Sequence, residues 1–404
     1  MPQEFRPLYS NRNTLHFVPS DLIARTTMAE TNQNPYSTLP ARAFWRSAVA
    51  TKNPTDIHGL WDPKFEILPN HRVVTFGSCF AQHIGRALRA RNFQWFISEP
   101  SPPGMSDANL TLFNYNLFSS RTGNIYTASL LKQWVEWALE EKPVPDEYWV
   151  ADGRYFDPFR PAIEPNGFES LDEMRASRNC AIAAFSRAIT DTKYFVFTLG
   201  LTESWFNKSK GYEYPMCPGT AAGTFDASEH EFKNQPFEFV RANLFEALAK
   251  IRSVNRRARI ILTVSPVPLT ATNTRWHVLL ATTESKSILR AVAGQLRAIH
   301  PWIDYFPSYE IITSPVFGGR FFEPNLRSVT KDGVDFVMNS FFADLEAKFG
   351  PAKEADSPLS QIKSRMLDPL GHLKNRLNAS RPIVAVKHDV VCEEQLLEAF
   401  GEQP

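Results

Sequence analysis

Two nucleophilic side chains, Ser78 and Cys79, stand side by side in the stretch RVVTFGSCFAQHIGRAL, residues 72–88. A hydroxyl or thiol supports covalent catalysis when a base, oxyanion donors and a fixed position are supplied. The flanking residues supply the position. Arg72 to Phe76 is β-branched and apolar, which suits a strand buried in a parallel sheet. Gly77 permits a sharp turn, and Phe80, Ile84, Ala87 and Leu88 then recur at helical spacing. Strand, turn and helix in that order place Ser78 or Cys79 at the carboxyl edge of a sheet, beside the positive end of a helix. Ser and Cys are also common small residues at plain tight turns, so this segment alone leaves both readings open.

Further along, Lys286 and Arg290 lie one helical turn apart. Such a pair either anchors an anionic substrate, a sugar acid or a phosphate, or forms a solvated helix face. Trp205, Tyr212, Tyr214, Trp276 and Trp302 gather around the same loops, as platforms for sugar rings or as packing. Cys79, Cys180, Cys217 and Cys392 show no metal-type spacing and are too few for a disulfide framework. No metal site and no cofactor is expected.

These groups need a scaffold, and the apolar pattern describes one. Val73–Phe76, Tyr194–Leu199, Arg259–Val264 and Ile303–Phe306 read as sheet strands, with helical stripes between them. Alternating strands and helices predict a doubly wound, mostly parallel α/β sheet with helices on both faces, a flavodoxin-like three-layer sandwich. Ligands bind such sheets at the carboxyl ends of the strands. Residues 100–126 and 206–236 read as long loop insertions rich in turn-forming residues. The expected organisation is an amino-terminal arm over residues 1–60, a catalytic domain over 61–350 and a basic tail over 351–404. The tail ends in a strand-like IVAV and an amphipathic CEEQLLEAF. It is expected to add little to the core, or to dock a protein partner.

Composition narrows the class. A hydrophobic content of 43% supplies a sizeable core. Lys plus Arg number 44 against 43 Asp plus Glu, a balance that argues against nucleic-acid binding. No apolar run is long enough for a membrane span, and the first residues lack the apolar stretch of a leader. A cytoplasmic protein acting on a small-molecule or saccharide ester is expected.

The pentapeptide Gly77–Ala81, GSCFA, resembles the name-giving motif of the GSCFA-domain family, a branch of the SGNH (GDSL-like) esterase and acyltransferase superfamily. FTLGLTESW (197–205), ILTVSPVPL (261–269), SKSILRAVA (285–293) and YFPSYEII (305–312) resemble further blocks of that family, in its order. The resemblance implies an SGNH-hydrolase-like fold and acyl-ester chemistry, hydrolysis or O-acyl transfer, on a saccharide or glycolipid. A fold of this kind that has lost its triad and serves as a binding module or scaffold is the alternative. Laid on the superfamily's Gly-Asp-Ser motif, Gly77-Ser78-Cys79 puts Cys79 on the nucleophile position. A turn one residue tighter would present Ser78 instead. A thiol at a helix amino terminus is expected to have a lowered pKa.

The resemblance also assigns Thr202, in Gly200-Leu201-Thr202-Glu203, to the place of an oxyanion-binding Asn, and Gly123 to a loop donating a backbone N–H to the same hole. Thr202 and Glu203 would otherwise cap the segment that follows. Where the superfamily has Asp-x-x-His, this chain reads Asn325-Leu326-Arg327-Ser328. Neither Asn325 nor Ser328 can act as a general base. His277 precedes the Ser-Lys-x-x-Leu-Arg segment, as a His does in similar family members, and follows a strand on the side where the nucleophile should stand. It is the expected base, with Glu203 or Glu284 orienting it; otherwise it is a structural loop residue.

Overall fold

The computed structural model describes residues 34–352 and 392–401. The chain separates into two compact units, Met1–Lys52 and Asn53–Pro404. Within the first, residues 34–52 form short helical turns, Pro35–Thr38, Ala41–Ala43 and Arg46–Ala50. The expected strand at 383–386, and most of the basic tail, lie outside the described residues.

The second unit runs β1 (Val73–Gly77), α1 (Phe80–Ala90), α2 (Asp107–Leu112), α3 (Ala128–Ala138), β2 (Trp149–Ala151), β3 (Arg154–Phe156) and α4 (Leu171–Asp191). It continues with β4 (Tyr194–Leu199), β5 (Glu203–Asn207), β6 (Glu213–Tyr214), β7 (His230–Asn234) and α5 (Phe237–Val254). Then come β8 (Arg259–Val264), α6 (Val278–Ile299), β9 (Ile303–Tyr305), α7 (Ser308–Thr313) and α8 (Lys331–Phe349).

The main sheet is parallel in the order β1-β4-β8-β9. A parallel bridge from Val73 to Trp95 adds a partner on the outer side of β1. The chain leaves β1 toward Trp95 and later returns on the other side through β4. The β1–β4 boundary is therefore where the winding reverses, and a crevice opens there at the carboxyl ends.

Side chains alternate across the sheet as pleating requires. Val74, Phe76, Phe195, Phe197, Leu199, Ile260, Leu262 and Val264 pack against α3, α4, α5 and α6. Val73, Tyr194, Val196 and Ile261 face α1, α7 and α8, with Trp61 stacked on Phe341. Both faces are covered, so the strands read as continuous apolar runs and their bounds were legible. The expected insertion at 206–236 instead carries strands: β5 pairs with β6 and β7 in a small antiparallel sheet. β6 spans only Glu213–Tyr214, too short to leave a period-2 pattern among turn residues.

Gly77 has φ +122°, and a Cβ placed there would lie 2.2 Å from the Thr198 carbonyl oxygen. Gly77→Ala should therefore cost about 4 kcal/mol or more, enough to unfold a domain of ordinary stability. At Gly153, φ +74° with open space around the missing Cβ, the same change should cost only about 1 kcal/mol. Urea melts of the two variants check this; equal losses would show that the close approach at Gly77 is not constraining.

Candidate active site

Past the end of β1, the Ser78 N–H donates to the Thr198 carbonyl at 2.9 Å, so the β1–β4 ladder reaches into the turn. Cys79 follows as the residue that caps α1, and it is buried. Ser78 is buried too, and its hydroxyl finds no hydrogen-bond partner among the described residues.

A strap over residues 123–126 crosses the carboxyl ends of β1 and β4. The Ile125 N–H donates to Gly77 O, and the Gly200 N–H to Tyr126 O, both at 2.9 Å. Buried charges hold the strap from behind. Arg160 donates to Arg121 O at 3.1 Å and pairs with Asp157 at 2.8 Å, while Arg178 pairs with the same carboxylate. Burial pushes Asp157 up, but the two guanidinium groups outweigh it and hold the carboxyl below its ordinary range. Gly123 takes φ +68°, which turns the Asn124 N–H into the crevice.

The donors of the strap converge on one carboxylate, that of Glu393. It accepts from the Asn124 N–H at 3.5 Å, from the Asn124 side-chain amide, and from the Tyr126 hydroxyl at 2.7 Å. The neighbouring Cys392 thiol is hydrogen-bonded to Cys79, and neither cysteine is in a disulfide. That hydrogen bond, with burial, raises Cys79 well above the ordinary thiol range, while the same bond lowers Cys392. The lowering expected for Cys79 at a helix amino terminus is thus reversed where the carboxyl-terminal segment lies against it.

Arg327 reaches this cluster, 3.9 Å from Cys392 Sγ and 3.5 Å from the Glu394 carboxylate. Lys286 is buried beneath it and donates to Gly200 O at 2.5 Å. Burial lowers Lys286 from 10.5 to about 8, opposed by the charges of Glu394, Cys79 and Cys392. Burial raises Glu394, opposed by Arg327 and Lys286. The expected anchor Lys286 is therefore a buried group of the site rather than a solvated helix face.

Other expected residues take different places. The Thr202 hydroxyl donates to Asn234 at 2.6 Å, so its proton is committed away from an oxyanion. Glu203 accepts from the Thr272 hydroxyl at 2.5 Å and the Asn273 N–H at 3.1 Å, and burial raises its carboxyl. His277 is exposed and caps α6, its Nδ1 accepting from the Leu279 N–H at 3.2 Å. No hydrogen bond joins it to Ser78 or Cys79 among the described residues. α6 begins at Val278, directly after that cap. Arg290 pairs with Glu310 on α7 and lies over the Tyr305 ring. Asn325 and Ser328 bond to each other at 3.0 Å, which turns the Arg327 side chain between them into the cluster.

The sequence reading did not single out Tyr126, Arg327, Cys392, Glu393 or Glu394 as site residues. The amphipathic run at 392–400 was the available signal, but nothing local shows which groove receives it. Among the described residues, no helix is long and apolar enough to cross a membrane.

Fold and site together define an α/β protein with a thiol at the switch point of a parallel sheet, facing a built carboxylate cradle. The GSCFA family model matches residues 72–341, and the chain belongs to the GSCFA family. No curated protein and no solved structure matches the chain.

Lys286 is charged in the unfolded chain up to about 10.5 but loses its proton near 8 when folded. The folded state binds fewer protons across that window, so stability should rise as pH climbs through it, by on the order of 3 kcal/mol in full. Measured against Lys286→Met, the wild-type melting temperature should gain between pH 8 and 10.5. A constant difference would place the lysine in water.

Proposed function

We propose that this chain is an acyl-transfer enzyme of SGNH-like type, an ester hydrolase or O-acyltransferase acting on saccharide or glycolipid esters. The observation that carries this reading is the cradle beside Cys79. The Asn124 N–H and amide and the Tyr126 hydroxyl already hold a carboxylate there, as an oxyanion hole holds the developing charge of acyl transfer. Burial keeps Tyr126 protonated, well above its ordinary range, so it remains a donor.

In this reading Cys79 Sγ attacks the ester carbonyl and its proton passes to the neutral form of Lys286. The carbon–oxygen bond breaks, the alcohol leaves with that proton, and water or an acceptor hydroxyl then releases the acyl group. Lys286 is assigned as the base in place of His277 because it is buried, burial pushes its pKa down to about 8, and it interacts electrostatically with Cys79. Trp205 and Phe225 wall a neighbouring cavity of about 510 Å³ and suit a sugar ring.

One observation favours a second reading, a binding module without turnover: Asn325 and Ser328 are hydrogen-bonded to each other where the superfamily keeps its acid and base.

The full chain incubated with 4-nitrophenyl acetate should gain one acetyl group, mapped to Cys79 by peptide mass spectrometry. Slow turnover should rise as pH passes about 8. Cys79→Ala should lose both, and Ser78→Ala should keep the adduct. Turnover no greater than that of the Ser78→Ala/Cys79→Ala double variant, with no adduct, would transfer the assignment to the binding module.

A further inference from the structure

The segment Cys392–Gly401 makes one turn over Glu393–Leu397 and ends in a short helical turn, Glu398–Gly401. It presents two adjacent carboxylates to two separate sets of partners. Glu393 fills the Asn124–Tyr126 cradle beside Cys79. Glu394 faces Arg327 at 3.5 Å and interacts with Lys286. Leu397 and Phe400 close one side of the cavity that Glu203, Trp205, Phe225 and Thr272 line.

Without these two carboxylates, the crevice would keep Lys286, Arg327, the amino terminus of α1 and the strap donors. Among the described residues, Glu203 is an acidic neighbour that would stay, already bonded by Thr272 and Asn273. Arg327, a part-buried cation that keeps its charge, would be left without its counter-charge at a cost, so such a crevice selects an anion.

We propose that Cys392–Gly401 is the chain's own stand-in for its ligand, and that the ligand is an acyl compound bearing a free carboxylate, the half-ester of a dicarboxylic acid. The ester carbonyl takes the place of the Glu393 carboxylate at Asn124 and Tyr126. The free carboxylate takes the place of Glu394 at Arg327. Entry of this ligand displaces the segment and separates Cys392 from Cys79, which frees the thiol to react. This deepens the acyl-transfer reading: Cys79 Sγ bonds to the half-ester carbonyl carbon, the alcohol departs with the thiol proton, and water cleaves the thioester to a dicarboxylic acid and the free thiol.

The test uses alkylation, which needs no turnover. Full-length protein is treated with iodoacetamide, neutral, or iodoacetate, anionic, and labelling at each cysteine is followed by peptide mass spectrometry. Exposed Cys180 is the internal reference. Glu393→Ala/Glu394→Ala should speed labelling of Cys79 tenfold or more over wild type, with labelling of Cys180 unchanged. In that variant the iodoacetate-to-iodoacetamide ratio at Cys79 should exceed the ratio at Cys180 at least fivefold, and glutarate should protect Cys79 better than acetate. Adding Arg327→Gln should abolish both preferences. Leu397→Ser/Phe400→Ser, which loosens the segment but keeps its carboxylates, should also speed labelling.

Unchanged labelling in both loosened variants would overturn the occupancy. A Cys79 that opens but shows no preference for iodoacetate or glutarate would overturn the ligand class. Failure of the acyl-transfer reading is distinguishable, since it would leave these labelling ratios intact while 4-nitrophenyl acetate gave no adduct even on the Glu393→Ala/Glu394→Ala variant, where the cradle is open.

Discussion

The site depends on how closely β1 approaches β4. At Gly77 the two backbones come so near that a single Cβ would overlap the Thr198 carbonyl, and the Ser78 N–H then bonds to that same carbonyl. This contact ends the strand, turns the chain and starts α1 within two residues. The position of Cys79 is therefore fixed by backbone hydrogen bonding and not by a mobile loop. The strap over 123–126 hangs from the same two strand ends, through Gly77 O and Gly200 N. The Cys79 thiol and the strap donors thus share one rigid support, the preorganisation that electrostatic catalysis would require.

Charge decides the rest. Lys286, Arg327 and Glu394 sit together at the carboxyl edge, where the surroundings are too apolar to screen them as water would. Burial disfavours the charged form of each, and the opposite charges among them resist that shift. Cys79 is caught in the same balance. Its hydrogen bond to Cys392 favours the protonated thiol, so the carboxyl-terminal segment both covers Cys79 and holds it protonated. Arg327 ties the segment to the loop of residues 325–328, and its cationic side chain suits a carboxylate better than it suits proton transfer.

Much of the scaffold was legible because parallel strands buried on both faces leave unbroken apolar runs. Tyr194–Leu199 and Arg259–Val264 were read to the residue, and Gly77 announced the turn. The start of α6 carries no ordinary cap signal, because a histidine, His277, supplies the cap usually given by Ser, Thr, Asp or Asn. The role of Lys286 was only half legible. Its type and helical spacing suggested a charged anchor, but burial, which lowers its pKa, is a property of the packed fold. The pairing of Glu393 with Asn124 joins residues 269 positions apart, and no periodicity, cap or turn signal encodes a contact of that range. Thr202 shows the converse: its place in the sequence fitted an oxyanion donor, but β7 brings Asn234 to its hydroxyl.

The central claim is that Cys79 is an acyl nucleophile whose oxyanion donors are those now holding Glu393. A crystal structure of the full chain after reaction with 4-nitrophenyl acetate tests it most directly. The account predicts an acetyl group on Cys79 Sγ, its carbonyl oxygen about 3 Å from the Asn124 N–H, and Glu393 displaced from Tyr126. An unmodified Cys79, or an acetyl oxygen turned away from the strap while Glu393 keeps its place, would contradict it.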